Sequence, residues 1–456
     1  MIDLKHIKNI YFIGIGGIGM SALARYFRLQ GKRVAGYDKT ETALTRALME
    51  EGIPVSYVDD AATIPKDVQL VVYTPAIPKE HQGLNYYREH GYELMKRSEV
   101  LGLITADSLN VCVAGTHGKT TISTMIAHIL RDSGMGSNAF LGGISVNYNT
   151  NFWSDKNNIS VVEADEYDRS FLKLHPDIAV ISSMDADHLD IYGTKEAVEE
   201  AFLAFSKKIK SGGTLVQKHG LPIPKPSGNI QQLSYHLTDQ NADVYTKNLR
   251  ILSGHYIFDV EGKDGKMKDV RLNVGGWHNV ENALAAISAC RLLGLPEKKI
   301  SPALQSYRGV KRRFEYHVQS DSVVYIDDYA HHPNELEALI SSARQLFPDR
   351  HMVVVFQPHL FSRTRDFASE FAKVLDSADE VILLPVYPAR ELPIDGVSSE
   401  LISVKMDAVQ KRILNKAEVL AWAAKIKPEE KILLITAGAG DIDEIVHPLE
   451  TLLITK

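Results

Sequence analysis

Apolar runs of four to six residues alternate with longer amphipathic stretches along most of this chain. Residues 10–15, 33–37 and 70–73 read as buried strands. Residues 20–29 and 43–50, whose apolar positions recur three and four apart, read as helices between them. Such alternation predicts a parallel, doubly wound sheet. The pattern returns with strands at 111–113, 159–162 and 178–181 and helices at 122–131 and 196–209. It then breaks. A proline-bearing loop at 221–228 leads into short strand-like runs at 243–246, 256–260 and 270–274, with Gly-Lys-Asp-Gly between the last two, which predicts an antiparallel excursion. A helix at 281–293 leads back. From about Phe314 the alternation resumes, with strands at 323–326, 352–356, 381–384 and 432–435 and helices at 335–346 and 365–375. These breaks set three expected domains: 1–106, 107–313 and 314–456.

Composition agrees with that picture and removes several functions. At 456 residues the chain is too long for one core. Its 45% hydrophobic and 24% charged residues are those of a soluble globular protein. A net charge of −6 gives nucleic acid no general attraction, so no nucleic-acid partner is expected. No apolar run nears the roughly 20 residues that span a bilayer, so membrane insertion is not expected. The polar first ten residues do not read as a signal peptide, and the two cysteines, Cys112 and Cys290, lie in apolar runs as reduced core residues do. Both point to the cytoplasm.

Two glycine-rich turns stand where a strand hands over to a helix. The first is Gly14-Ile15-Gly16-Gly17-Ile18-Gly19, with Asp38 at the end of the next strand. Backbone amides at a helix N-terminus suit a diphosphate, and the acid suits a ribose hydroxyl. NAD and a nucleotide-sugar diphosphate satisfy these groups equally, so the loop leaves both open. The second turn is Gly115-Thr116-His117-Gly118-Lys119-Thr120-Thr121. Its amides converge on one point, Lys119 adds a cation for outer phosphates, and the Thr120 hydroxyl suits Mg²⁺. Val113 stands where the usual phosphate loop has its first glycine. This turn reads as a nucleoside triphosphate site.

Further polar groups fall at strand ends, where an open α/β sheet binds ligands. Glu163 ends the 159–162 run and is favoured over Asp165 and Glu166 as a metal carboxylate. His188 follows the 178–181 strand, which is expected beside the Glu163 strand, and so reads as a second metal ligand. Asn279 and Asn282, three apart at a helix start, share a face and suit an adenine edge, although Asn279 also suits a helix N-cap. Arg313, in Lys-Arg-Arg-Phe-Glu at the junction of the last two domains, can reach a γ-phosphate. The last domain offers Asp328 and Tyr329, then Gln357 and His359, then Tyr387 and Arg390, then 438–441. His331 and His332 suit either that crevice or the cap of the helix near Asn334.

Taken together, the residues resemble the Mur ligases, the cytoplasmic ATP-dependent amino-acid ligases of peptidoglycan synthesis. Both loops, Glu163-Ala164-Asp165-Glu166, Asp187-His188, His278-Asn279 with Asn282, and Arg313-Phe314-Glu315 occur in the family's order over nearly the whole chain. The opening 14–21 and Asp327-Asp328-Tyr329-Ala330-His331-His332-Pro333 look most like the member that acts first. The resemblance implies ATP and Mg²⁺ as cofactors, UDP-N-acetylmuramate and L-alanine as partners, and a monomer or weak homodimer. It implies a Rossmann-like first domain holding the sugar nucleotide, a central P-loop ATPase-like domain, and a Rossmann-like last domain for the amino acid.

Residue by residue, the match makes Gly14, Gly16, Gly17, Ile18, Gly19 and Asp38 sugar-nucleotide residues. Gly115 to Thr121, Asn279, Asn282, Arg313 and Asp328 become ATP residues. Thr120, Glu163 and His188 become metal ligands, and Lys119, Glu163, His188 and Arg313 the catalytic set. Tyr329, His332, His359 and Arg363 fall on the amino-acid side. The family's arginine after Pro358-His359 is Leu360 here, which leaves Arg363 and Arg365 for the amino-acid carboxylate. Two rivals remain. A relative that attaches a recycled murein peptide shares most motifs. An NAD-dependent oxidoreductase fits the first loop and leaves Lys119, Glu163 and both asparagines without a task.

Overall fold

The computed structural model describes residues 3–185, 189–263, 265–389, 391–407 and 410–454. Contacts divide the chain into two compact units, one of 1–248, 258–270 and 281–307, the other of 249–257, 271–280 and 308–456. Three sheets carry the α/β fold.

The first sheet holds β1 (Asn9–Ile13), β2 (Arg33–Tyr37), β3 (Val55–Ser56), β4 (Leu70–Tyr73) and β5 (Leu94–Lys96), all parallel, in the order β3-β2-β1-β4-β5. Helices α1 (Ile18–Leu29), α2 (Ala43–Glu50), α3 (Gln82–Glu89) and α4 (Arg97–Thr105) connect or follow its strands. The order reverses between β1 and β4, so their C-terminal ends flank a crevice. The run expected at 10–15 stops at Ile13 because Gly14 turns at φ 87°, and the amides of Gly14 and Ile15 both donate to Tyr37 O, at 2.8 and 2.9 Å.

The central sheet holds β6 (Leu109–Ala114), β7 (Asn138–Ser145), β8 (Thr150–Trp153), β9 (Ile159–Glu163), β10 (Ile178–Ile181), β11 (Thr214–Lys218), β12 (Gln231–His236), β13 (Val244–Leu252), β14 (His255–Gly262) and β15 (Gly265–Leu272). Its order is β15-β14-β13-β12-β11-β10-β6-β9-β7-β8. One expectation is corrected here. The 178–181 strand does not lie beside the Glu163 strand. Instead β6 lies between them, paired in parallel with β9 and β10. The second glycine turn therefore leaves the middle of the sheet, with a strand end on either side. The helix it opens, α5 (Lys119–Asp132), is buried from Thr120 to Leu130, as expected of a helix covered on all sides. The excursion starts later than the sequence suggested, since β12 and β13 are still parallel. The turn from β13 to β14 has Ser253 and Gly254 at φ 50° and 74°, the two positive values of a tight type I′ hairpin.

In the second unit, β16 (Glu315–Gln319), β17 (Val323–Asp328), β18 (His351–Phe356), β19 (Glu380–Leu383), β20 (Lys411–Ile413) and β21 (Ile432–Ala437) form a sheet in the order β16-β17-β21-β18-β19-β20, parallel except for β16. The helix expected at 365–375 is two helices, Phe361–Asp366 and Ala368–Leu375, broken at Phe367, whose φ of −117° and ψ of 19° leave the helical region. Cys112 and Cys290 are free and fully buried. Among the described residues no helix is long and apolar enough to cross a membrane.

Candidate active site

The second glycine turn is built by strain that only glycine tolerates. Gly115 sits at φ 137°, and Gly118, the N-cap of α5, at φ 83°. An added Cβ on Gly118 would also lie 2.8 Å from Asn282 Oδ1, so the amide of Asn282 packs directly on the turn. Neighbouring strand ends hold the turn. His117 N donates to Ser183 Oγ at 2.8 Å, Thr116 Oγ1 donates to Asp185 O at 3.0 Å, and Ser182 Oγ donates to His117 O.

The acids after β9 divide among three tasks. Glu163 accepts from Thr120 Oγ1 at 2.8 Å and from Gly142 N at 2.8 Å. Asp165 Oδ2 lies 3.2 Å from Arg97 Nη2. Glu166, 3% exposed, accepts from Lys119 Nζ at 2.8 Å, and that ammonium also donates to Gly115 O at 2.7 Å. Burial pushes the Glu166 carboxyl up, and the Lys119 charge opposes this. Thr120 thus meets Glu163, while Lys119 pairs with Glu166, a tie that was not foreseen. The hydroxyl of Thr120 and the carboxylate of Glu163 are the hard oxygen donors that a small divalent cation takes. His188 and Arg390 lie outside the described residues.

The first turn is arranged differently. Gly14 lies next to Thr74 and Ile77, and Gly17 is the N-cap of α1 without a side-chain cap. Asp38, expected on a ribose, accepts from Gly16 N at 2.7 Å and so ties the turn to the end of β2. Ile18 and Gly19 open the helix, and both line a cavity of about 350 Å³ whose other wall includes Glu163 and Asp165.

In the second unit Asn279 lies inside the helix Trp277–Leu292, which begins two residues earlier, so it is not the N-cap. Its Nδ2 donates to Gly275 O at 2.6 Å. Of the paired arginines, Arg313 is exposed, and Arg312 is the anchor. Arg312 Nε donates to Asp327 Oδ2 at 2.9 Å and Nη2 to Gly438 O at 2.7 Å. Glu315, His317 and Asp327 approach one another closely enough for a metal, but the Arg312 guanidinium already pairs with Asp327. Asp328 accepts from the amides of Phe314 and Ala330, each at 2.7 Å, and burial pushes its carboxyl up to about 6.

Tyr329 is 48% exposed. The Arg312 guanidinium carbon lies 5.2 Å from the centre of the Tyr329 ring. His332 stands at the N-cap position of the helix Pro333–Leu346 and packs on Phe367, but its side chain makes no cap bond, and Glu335 instead accepts from the amides of His331 and His332. His359 stacks on Tyr387 with ring centres 5.7 Å apart, and burial, then Arg363, lowers its pKa. The buried His359 Nδ1 and Arg363 Nη1 find no hydrogen-bond partner among the described residues.

An α/β chain with a phosphate turn and an acid-tipped strand beside it belongs to the nucleotide-dependent enzymes as a class. Three models define the family further: the catalytic domain of the Mur ligase family over residues 9–108, the Mur ligase middle domain over 113–290, and the Mur ligase glutamate ligase domain over 312–440. The chain belongs to the Mur ligase family. It is 46% identical over 456 residues to the UDP-N-acetylmuramate–L-alanine ligase of Flavobacterium johnsoniae, covering 99% of both chains. Among solved structures it is similar to the UDP-N-acetylmuramate-alanine ligase MurC of Thermotoga maritima, with TM-score 0.82, 28% identity, and 99% and 100% of the two chains covered. A murein peptide ligase of Psychrobacter arcticus shares the fold, with TM-score 0.64 and 22% identity over 98% and 99% of the chains.

Proposed function

We propose that this chain is an ATP-dependent ligase that joins L-alanine to the lactyl carboxylate of UDP-N-acetylmuramate through an acyl phosphate, with release of ADP and phosphate, in cytoplasmic peptidoglycan precursor synthesis. The observation that carries this reading is the bond from Thr120 to Glu163 beside the ion pair of Lys119 with Glu166, where β6 and β9 end. It occurs in a chain that is similar from end to end to a UDP-N-acetylmuramate–L-alanine ligase. Bound as its magnesium complex, ATP supplies the phosphoryl group that turns a carboxylate, a poor acyl donor, into a reactive one.

The chain's own residues do the rest. Lys119 neutralises charge where two anions must approach, and Thr120, Glu163 and His188 hold Mg²⁺. The turn amides, Asn279, Asn282, Arg313 and Asp328 complete the ATP site. The glycine turn 14–19 and Asp38 take the sugar nucleotide. Tyr329, His332, His359 and Arg363 face the amino acid. The unpartnered nitrogens of His359 and Arg363 suit its carboxylate, a role that Leu360 cannot take. The three domains, 1–106, 107–313 and 314–456, divide these tasks.

The test is mass detection of product after mixing the protein with ATP, UDP-N-acetylmuramate and a mixture of amino acids. The sugar nucleotide gains one alanyl residue, and ATP consumption needs both partners. Product formed only with a murein peptide, or ATP consumed without the sugar nucleotide, would overturn the reading.

A further inference from the structure

The cavity beside the first glycine turn has an unusual charge balance for the ligand proposed there. It is lined by Gly17, Ile18 and Gly19 on one side and by Glu163 and Asp165 on the other. A diphosphate brought between these walls adds negative charge to two carboxylates. The turn itself offers only N–H dipoles, and those of Gly14, Ile15, Gly16 and Gly17 are already taken, by Tyr37 O, Asp38 and Gly14 O. Helix α1 starts Ile-Gly-Met-Ser and carries no cation in its first turn.

Among the described lining residues one cation answers this, Arg97, the first residue of α4. Its guanidinium lies against the turn: a Cβ added at Gly19 would be 2.9 Å from Nη1 and 3.3 Å from Cζ. The last glycine of the turn therefore does more than let helix and strand pack, because it leaves room for a guanidinium over the helix start. On its other side Arg97 meets Asp165 by Nη2 alone, at 3.2 Å, and the Asp165 side chain is 40% exposed. A single, long contact to a solvated carboxylate is a weak one. A phosphate facing both guanidinium nitrogens is a stronger partner.

We propose that Arg97 is the cation that holds the diphosphate of the sugar nucleotide against the first glycine turn, exchanging Asp165 for phosphate oxygens on binding. The inference rests on the reading of that turn as the sugar-nucleotide site. It gives Asp165 a role too: it holds the guanidinium while the site is empty and competes with the ligand for it.

Calorimetric titration of the full-length protein with UDP and with UMP, without ATP, tests this. Arg97→Ala lowers UDP affinity about 100-fold, and Arg97→Lys, which keeps charge and loses the planar pair of donors, about 10-fold. UMP, with one phosphate fewer, loses less in both, so the UDP-to-UMP affinity ratio falls. Asp165→Asn removes the competitor and tightens UDP binding about threefold. If Arg97 merely bridges two parts of the fold, both Arg97 variants lower the melting temperature and leave the UDP-to-UMP ratio at its wild-type value. That result overturns the proposal, as does weaker UDP binding by Asp165→Asn. Should the unaltered protein bind neither UDP nor UMP, the reading of the first turn falls and takes this inference with it. Wild-type binding with an unchanged ratio in Arg97→Lys sinks the role of Arg97 alone.

Discussion

The two glycine turns follow one plan, strand to turn to helix, and differ in where the cation comes from. The turn at 115–121 carries its own, Lys119, the first residue of α5. The turn at 14–19 carries none, and the guanidinium at its helix start arrives from α4. Both cations are nevertheless held by one short segment. Glu163-Ala164-Asp165-Glu166 ends β9 and sends Glu163 to Thr120, Asp165 to Arg97 and Glu166 to Lys119, while Ala164 is fully buried. The segment can serve two turns in this way because β9 stops at Glu163 and the residues after it leave the strand's alternation. A turn with its cation in line is thus a local device, whereas one with a borrowed cation exists only once the sheets are assembled.

Removing the cation of the second turn is the harshest test of that separation. Lys119→Ala lowers kcat about 1,000-fold or more, since the charge it neutralises is that of the reacting anions. UDP binding, measured by calorimetry, stays within about twofold, because Lys119 is absent from the cavity wall of the first turn. Loss of UDP binding in this variant would mean that the two turns are one site. Glu163→Gln comes next. It keeps the size of the side chain and weakens the proposed metal ligand, so activity at low Mg²⁺ falls about 100-fold and recovers in part as Mg²⁺ is raised. No recovery over a Mg²⁺ titration would remove Glu163 from the metal site.

The same contrast explains what could be read from the chain alone. Residues 115–121 announce themselves, because strand, turn, cation and helix are contiguous. The long parallel strands were equally legible, their apolar runs being buried on both faces, as for Val161 and Val162 at 0% exposure. β5 was missed because Leu-Met-Lys is three half-buried residues with no period to detect. With β5 went the observation that Lys96 and Arg97 stand at a strand end. Glu166 was passed over in favour of Glu163 because sequence order says nothing of which acid turns inward. Only the packing buries Glu166 beside Lys119. Arg312 and Arg313 are indistinguishable as neighbours, and the bond from Arg312 to Asp327 is what separates anchor from exposed group.

Glu166→Gln sharpens the comparison at intermediate size. The ion pair it breaks is buried on the acid side, and Lys119 is 15% exposed. The loss of one partner then costs about 2 kcal/mol, below the range for a fully buried pair. In a chain of this size that lowers the melting temperature by about 2 °C. A non-hydrolysable ATP analogue restores a partner to Lys119, so the variant's deficit shrinks when the analogue is present. Scanning fluorimetry with and without analogue reads both effects. An equal deficit in both conditions would show that Glu166 is structural and does not compete for the ammonium.

The smallest effects come from placing the same methyl group in each turn. Gly118 has φ 83°, so alanine there is strained by about 1–2 kcal/mol and also meets Asn282 Oδ1. Gly19 lies in the first turn of α1, and alanine there gains helix propensity of up to about 1 kcal/mol. Its Cβ meets only the flexible end of Arg97. Gly118→Ala is therefore expected to lower both stability and ATP affinity. Gly19→Ala leaves the melting temperature within about 2 °C and weakens UDP a few-fold by displacing the guanidinium. Were Gly19→Ala to bind UDP as the wild type does, the turn would not need Arg97 where it lies. The contrast between an in-line and a borrowed cation would then reduce to a difference in packing.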